Sequence, residues 1–399
     1  MIIAGEASGD LLASELVREL RTELTKEPER PSTDYQPLRT TLEPRFFGAG
    51  GPRMAAAGVE LELDLTQHAV IGLSDVAKHY FKFRGLFQRL YRLALEREPD
   101  AIVCVDFSGF NRRFVHAVKR YVSSRQDWFH DWRPKLIQYV SPQVWASREG
   151  RAHQMARDYD LVLSIFPFER EWYAKRVPRL RVEFVGNPLM DRYAGFALRR
   201  TQRQGAPLVV LLPGSRTGEL ARHLPVLIGA LGIMREQLPG LRARMVLPNE
   251  TLAEKAKAFG ILDYLEVQVG GLPEALSEAT VAIASTGTVT MECAFFGVPT
   301  VALYKTSWST YQIGRHIVAV KYLAMPNLLA DEPVFPEFIQ NAASAQNIAN
   351  AGLELLKDEE RRSYVKRKLA EIIGSLGSAG ANRRAAQAVT TLLQSPVKS

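Results

Sequence analysis

Cysteine is scarce. Only Cys104 and Cys293 occur in 399 residues, each inside an apolar run and neither at zinc-ligand spacing. That excludes a disulfide-built scaffold and points to buried thiols in a reducing compartment. A membrane-spanning run is missing too. The longest weakly charged stretch, 279–304, is interrupted by Gly287, Glu292, Gly297 and Pro299. Met1 leads straight into IIAGEASGD, so no signal peptide is expected. No Gly-Lys-Ser/Thr closes a glycine loop, which removes the nucleotide hydrolases, and no Gly-x-Gly-x-x-Gly fingerprint supports an oxidoreductase. There is no short-period repeat. The Asp-x-Asp at Asp158–Asp160 precedes the strand LVLSI, the wrong end of a sheet for a ligand. It reads as a solvated helix end, and no metal or cofactor is expected.

What is present is an ordinary folded composition, 46% apolar and 24% charged, too long for one core and so expected to form two domains. A net charge of +8 favours acidic partners (a phosphorylated metabolite, anionic lipid or nucleic acid) without choosing among them. Apolar runs at 1–4, 101–106, 135–140, 161–165 and 182–185 alternate with helical stretches. The pattern restarts at 207–212, 243–247, 265–269, 281–284 and 299–303. Two such series predict two parallel sheets wrapped by helices. The expected division is 1–195, 205–375 and a helical tail 376–399, with a hinge in 186–206. The tail either returns to the N-terminal domain or is exchanged in a dimer. Residues 25–44, with Pro28, Pro31, Pro37 and Pro44, read as a surface insertion, and 124–134 as a loop.

Ligands of doubly wound sheets lie beyond the carboxyl ends of the strands, so loops there carry the candidates. In the second series, Gly214-Ser215-Arg216 follows VVLLP, with Glu219 shortly after, and Ser285-Thr286-Gly287-Thr288 follows VAIA. Small residues at helix starts suit phosphate, and Glu292 would accept from ribose hydroxyls. Together they describe a nucleoside-diphosphate site, although each turn alone also reads as a helix cap. In the first series, Gly5-Glu6-Ala7-Ser8-Gly9-Asp10 makes a tight turn, with Asp10 placed to be an N-cap. Phe47–Pro52 reads as a second glycine loop. Asp106 ends AIVCVD and is either a general base or a cap. Tyr139–Trp145 is a candidate aromatic wall. Residues 70–95 are basic and aromatic. Phe81, Lys82, Phe83, Arg84, Leu86 and Phe87 form either an interfacial membrane contact or a core helix with a basic face.

In chain order, AGEASGD, GAGGPRM, YVSPQVWA, FPFE, LLPGSR, ASTGTVTMEC and MPNLLA resemble the lipid-A-disaccharide synthase family, from Gly5 to about residue 340. The resemblance implies a GT-B fold, two Rossmann-like doubly wound parallel-sheet domains facing a central cleft. It also implies an inverting, metal-independent glycosyl transfer. UDP-2,3-diacylglucosamine would be the donor and 2,3-diacylglucosamine 1-phosphate the acceptor, giving a β-1,6-linked disaccharide 1-phosphate and UDP. Asp106 would be the base, Glu6, Ser8, Arg216, Glu292 and Asn327 would touch sugar or nucleotide, and Gly5, Gly9, Asp10 and Asn111 would stand with Glu6 and Ser8 on the acceptor-sugar side. The implied place is the cytoplasmic face of the inner membrane, peripherally bound. Dimers with exchanged C-terminal segments belong to the family picture, and nucleic acid does not. One departure stands out. Where the family has Asp-x-Pro-Asp-Phe-Asn, this chain has Asp106-Phe107-Ser108-Gly109-Phe110-Asn111. Open alternatives are another GT-B sugar-nucleotide enzyme, such as an epimerase, and a non-enzymatic nucleotide-sugar or lipid-binding protein.

Overall fold

Short aliphatic runs, buried on both faces, become parallel strands because helices cover each side of the sheet. The computed structural model describes residues 1–26, 43–66, 76–125, 131–197, 205–260, 262–317 and 319–395. Most of the insertion 25–44 therefore lies outside the described residues, as do 126–130, 198–204 and the Phe81 and Lys82 side chains. The chain forms two units, Met1–Asp191 with the segment from Ser378, and Arg192–Gly377.

In the first unit, β1 (Ile2–Ala4), β2 (Phe47–Gly50), β3 (Glu60–Asp64), β4 (Ala101–Val105), β5 (Lys135–Tyr139), β6 (Leu161–Ser164) and β7 (Val182–Phe184) are ordered β3-β2-β1-β4-β5-β6-β7. In the second, β8 (Leu208–Leu212), β9 (Arg242–Leu247), β10 (Leu265–Val269), β11 (Val281–Ser285), β12 (Thr300–Tyr304) and β13 (Glu337–Ile339) are ordered β10-β9-β8-β11-β12-β13. Every pairing is parallel. The order reverses between β1 and β4 and again between β8 and β11. Those two switch points are where crevices open beyond the strand ends.

The expected glycine loop 47–52 is corrected. Phe47–Gly50 is strand β2, and only Gly51 and Pro52 leave it. Gly48 has φ +149°, and a Cβ there would overlap the Ile2 carbonyl oxygen, so glycine permits the close β1–β2 approach. The C-terminal helix Ala381–Gln394 closes one face of the first sheet. Ala385, Val389 and Leu392 join Leu16, Leu20, Ile137 and Tyr139 in one core, each large aliphatic side chain worth roughly 1.5–3 kcal/mol. Its start is fixed by the Tyr139 hydroxyl donating to Asn382 Oδ1 at 2.7 Å, and by Asp191 Oδ2 accepting the Asn382 N–H at 3.0 Å. Cys104 and Cys293 are free, buried thiols, and burial pushes that of Cys293 up to about 12.

Candidate functional site

At the first switch point, β1 leads into Gly5 and β4 into Asp106. Asp106 and Phe107 are both left-handed, φ +49° and +43°, a strained pair of the kind that concentrates at functional sites. The backbone around Asp106 is held on every side. Its N–H donates to Tyr139 O at 3.0 Å, and its carbonyl accepts from Asn111 Nδ2 at 2.8 Å and Gln138 Nε2 at 3.2 Å. Asn111 is fully buried and Gln138 likewise, so both amides clamp the strand end. Phe107 folds back over Gly5, where any Cβ would overlap its ring. Glu6 is the N-cap of the helix Ala7–Thr25, half-buried like Ser8, while Gly9 is buried beneath them.

Asp10 needs correction as a sugar-side residue. It is 2% exposed, and its carboxylate accepts the N–H groups of Gly51 (2.8 Å), Arg53 (3.0 Å) and Met54 (3.0 Å). It caps the helix Pro52–Ala56, whose capped N–H groups lie 41 or more residues further along the chain, and both oxygens are engaged there. Tyr139 is likewise no aromatic wall, being fully buried against the C-terminal helix. Asp158 is buried rather than solvated, with His116 Nδ1 at 3.1 Å and Gln154 Nε2 at 3.2 Å. Beyond β5, Trp145 Nε1 donates to the buried Glu169 at 3.0 Å. Burial lifts the Glu169 pKa from 4.5 to about 7, against the lowering pull of its hydrogen bonds from Trp145, Ser141 and the 165–166 backbone.

At the second switch point, Gly214 has φ +115° and Arg216 is the N-cap of the helix Thr217–Gln237. Glu219 turns inward onto this turn. Its Oε2 accepts the Ser215 N–H at 3.1 Å and its Oε1 lies 3.4 Å from Arg216 Nη1. Glu219 therefore serves the turn itself. His223, fully buried, bridges two strand ends, with Nδ1 at 2.7 Å from Pro213 O and Nε2 accepting the Lys305 N–H at 3.0 Å. Burial lowers its pKa, and the two backbone partners select the tautomer, because Nε2 must accept from the Lys305 N–H while Nδ1 faces the Pro213 carbonyl.

After β11 the geometry divides the expected cradle. Ser285 is 1% exposed, its Oγ turned to Thr286 O at 3.4 Å, and the Thr286 N–H is spent on Leu303 O at 3.0 Å. Both belong to the sheet end. Gly287 and Thr288 are exposed, with open space beside Gly287. Glu292, half-buried in the helix Val289–Phe295, accepts from the Tyr193 hydroxyl at 2.8 Å, and burial raises its pKa. Asn327 is corrected outright. It is 0% exposed, and its amide is consumed by Phe335 O (2.8 Å), Glu337 Oε1 (2.8 Å) and the Phe335 N–H (2.7 Å). No group is left for a sugar.

The helix Val76–Arg97 divides between the two readings made for it. Leu86 and Phe87 are partly buried and pack on the first unit's core, Phe87 against Phe110 (5.6 Å) and Phe114 (5.8 Å), which supports the core reading at these two positions. Phe83 is half-buried and Arg84 exposed; Phe81 and Lys82 lie outside the described side chains. Among the described residues, no helix is long and apolar enough to cross a membrane.

Comparison with known proteins decides the family. The model described as lipid-A-disaccharide synthetase matches residues 1–392. The chain belongs to that family. The lipid-A-disaccharide synthase of Geobacter metallireducens is 34% identical over 406 residues, spanning 98% of this chain and 97% of that protein. Among solved structures, UDP-GlcNAc 2-epimerase from Neisseria meningitidis bound to UDP-GlcNAc aligns with a TM-score of 0.58 at 11% identity, covering 99% of each chain. A calicheamicin glycosyltransferase aligns at 0.57 with 15% identity, covering 99% and 98%. At such identities the likeness shows the fold alone, the two Rossmann-like domains of GT-B proteins.

Lipid-A-disaccharide synthases are glycosyltransferases of lipid A biosynthesis, and membership makes this chain one of them. Where the family motif has its second Asp, Gly109 stands with nothing within 4 Å of an added Cβ. The Asn of the motif, Asn111, is buried and clamps the strand end at Asp106, its Nδ2 donating to the Asp106 carbonyl. Glu169, Gln138, His223 and Tyr193 escaped the sequence reading. The signal for Gln138 and His223 was a lone polar residue within an apolar strand (KLIQY) or helical stripe. Glu169 sits three residues after Phe166, as an N3 acid does.

Proposed function

We propose that the chain transfers the diacylglucosaminyl group of UDP-2,3-diacylglucosamine to the 6-hydroxyl of 2,3-diacylglucosamine 1-phosphate, with inversion at the anomeric carbon. The products are the β-1,6-linked disaccharide 1-phosphate and UDP. Family membership supports the reaction. The observation that supports its assignment to residues is topological. Asp106 and the Glu6–Ser8 turn stand at the switch point of one sheet, and the 214–216 and 287–288 turns at that of the other.

A sugar hydroxyl is too weak an acid to attack unaided. Asp106 takes the O6 proton as the O6–C1 bond forms and the bond from C1 to the diphosphate oxygen breaks. The growing charge on UDP is met by the Gly214–Arg216 turn. The Arg216 Nη1 to Glu219 Oε1 contact is a long one, 3.4 Å, and a diphosphate offers the guanidinium stronger, charge-assisted acceptors. Glu292 takes the ribose hydroxyls, steadied by Tyr193. Lipid-linked substrates place the protein peripherally at the cytoplasmic face of the inner membrane, with Arg84 and Arg92 exposed along one helix. Incubation of the full chain with both substrates tests the reaction. Mass spectrometry should find disaccharide 1-phosphate and UDP in equal amounts. An epimerised nucleotide sugar, or bound but unchanged donor, would move the assignment to an epimerase or a binding protein.

A further inference from the structure

Four arginines gather at the same end of the first sheet. Arg112 and Arg113 stand in the opening turns of the helix Ser108–Ser124, which begins two residues after Asp106. Arg148, itself left-handed at φ +59°, ends the loop beyond β5, and Arg151 begins the helix Arg151–Asp158. The two helices pack together, joined by Arg112 Nη1 donating to Gln154 Oε1. Arg112 and Arg151 are half-buried, Arg113 and Arg148 exposed. Among the described residues no carboxylate lies within ion-pair distance of any of the four. Asp158 is taken by His116, and Glu149 by Arg176.

A cluster with this composition is electrostatically incomplete. Burial lowers the pKa of Arg151, and the charges of Arg148, Arg112 and Arg113 lower it further. Partly desolvated guanidinium groups surrounded by their own kind are stabilised by an anion from outside the chain, and their planar forks match phosphate oxygens two at a time. We propose that Arg112, Arg113, Arg148 and Arg151 seat the phosphate monoester of the acceptor sugar. This rests on Asp106 being the acceptor-side base. With O6 held at Asp106, the phosphate at the opposite end of the pyranose reaches toward this cluster, and the pair of contacts fixes which hydroxyl attacks.

The test compares the wild-type chain with Arg148→Gln/Arg151→Gln in detergent micelles at saturating donor. Acceptors are diacylglucosamine 1-phosphate and the same sugar with a 1-O-methyl group. The wild type should prefer the phosphate. The double variant, with an unchanged unfolding temperature, should raise KM for the phosphorylated acceptor at least about tenfold and lose the preference, leaving KM for the donor unmoved. Arg151→Lys should recover part of it. Preference retained in the double variant overturns the proposal. So does an unchanged acceptor KM with lost sedimentation on phosphatidylglycerol vesicles, which would give the cluster to lipid headgroups. If the wild type makes no disaccharide, the glycosyl-transfer reading fails separately. The phosphate seat is then judged by calorimetric titration with glucosamine 1-phosphate against glucosamine. Selective binding lost in the double variant upholds it, and equal binding overturns it.

Discussion

Replacing Glu169 by glutamine should flatten a pH dependence that the buried carboxyl imposes on the first unit. Glu169 is fully buried, accepts from Trp145 at 3.0 Å and from the Phe166 N–H at 3.4 Å, and has its pKa lifted from 4.5 to about 7 by burial. A carboxyl whose folded pKa exceeds its unfolded one holds its proton longer in the native state. Its contribution is therefore complete below about pH 4.5 and is lost as pH rises through about 7. At 1.36 kcal/mol per pKa unit the loss amounts to about 3 kcal/mol. Glu169→Gln keeps an oxygen for the Trp145 N–H and cannot ionise. Urea unfolding of both proteins between pH 4.5 and 8.5, followed by tryptophan fluorescence, reads mainly the unit holding Trp132, Trp145 and Trp172. The stability difference should move toward the variant by about 3 kcal/mol across that window. A difference that stays constant with pH would refute the reasoning.

Arg216→Ala should weaken UDP binding roughly fivefold to fiftyfold by calorimetry and slow turnover as well, because leaving-group charge grows in the transition state. Unaltered UDP affinity would reduce the turn to a helix cap. Gly109→Asp has room for its side chain and lies in the first turn of a helix, so its unfolding temperature should hold or rise, by up to about 1 kcal/mol in stability, with kcat near wild type. Phe81→Asp/Phe83→Asp should weaken sedimentation with anionic vesicles and leave UDP binding intact. Intact vesicle binding by the folded variant would return the whole helix to the core.

The two strand series were legible because parallel strands buried on both faces are continuous apolar runs, as in VVLLP and AIVCV. Strand β3 was not, because ELELD is half-exposed and polar, and neither was β2, because FGAG carries two glycines and reads as a loop. Loop candidates were legible as positions but not as partners. Asp10 was read as the cap of its own helix, and only the fold shows it capping Pro52–Ala56, 41 or more residues on. Asn327 shows the same limit from the other side. A motif can persist because a buried amide ties three backbone or side-chain groups together, and nothing in MPNLLA distinguishes that from ligand contact. The arginine cluster is assembled from RR at 112–113 and from residues 148 and 151, which only the β4–β5 pairing brings side by side.

Asp106→Asn tests the central claim most directly. Asparagine accepts a left-handed φ as readily as aspartate does, so the strand end and its Asn111 and Gln138 clamps should persist. Donor binding is measured by calorimetry and turnover by disaccharide 1-phosphate formed in a single-turnover experiment. The account predicts unchanged affinity for the UDP-sugar and a rate lowered by at least about 10²-fold. A variant that binds donor and turns over at the wild-type rate would contradict it, and would place the base elsewhere, with Glu6 on the opening turn the next residue to replace.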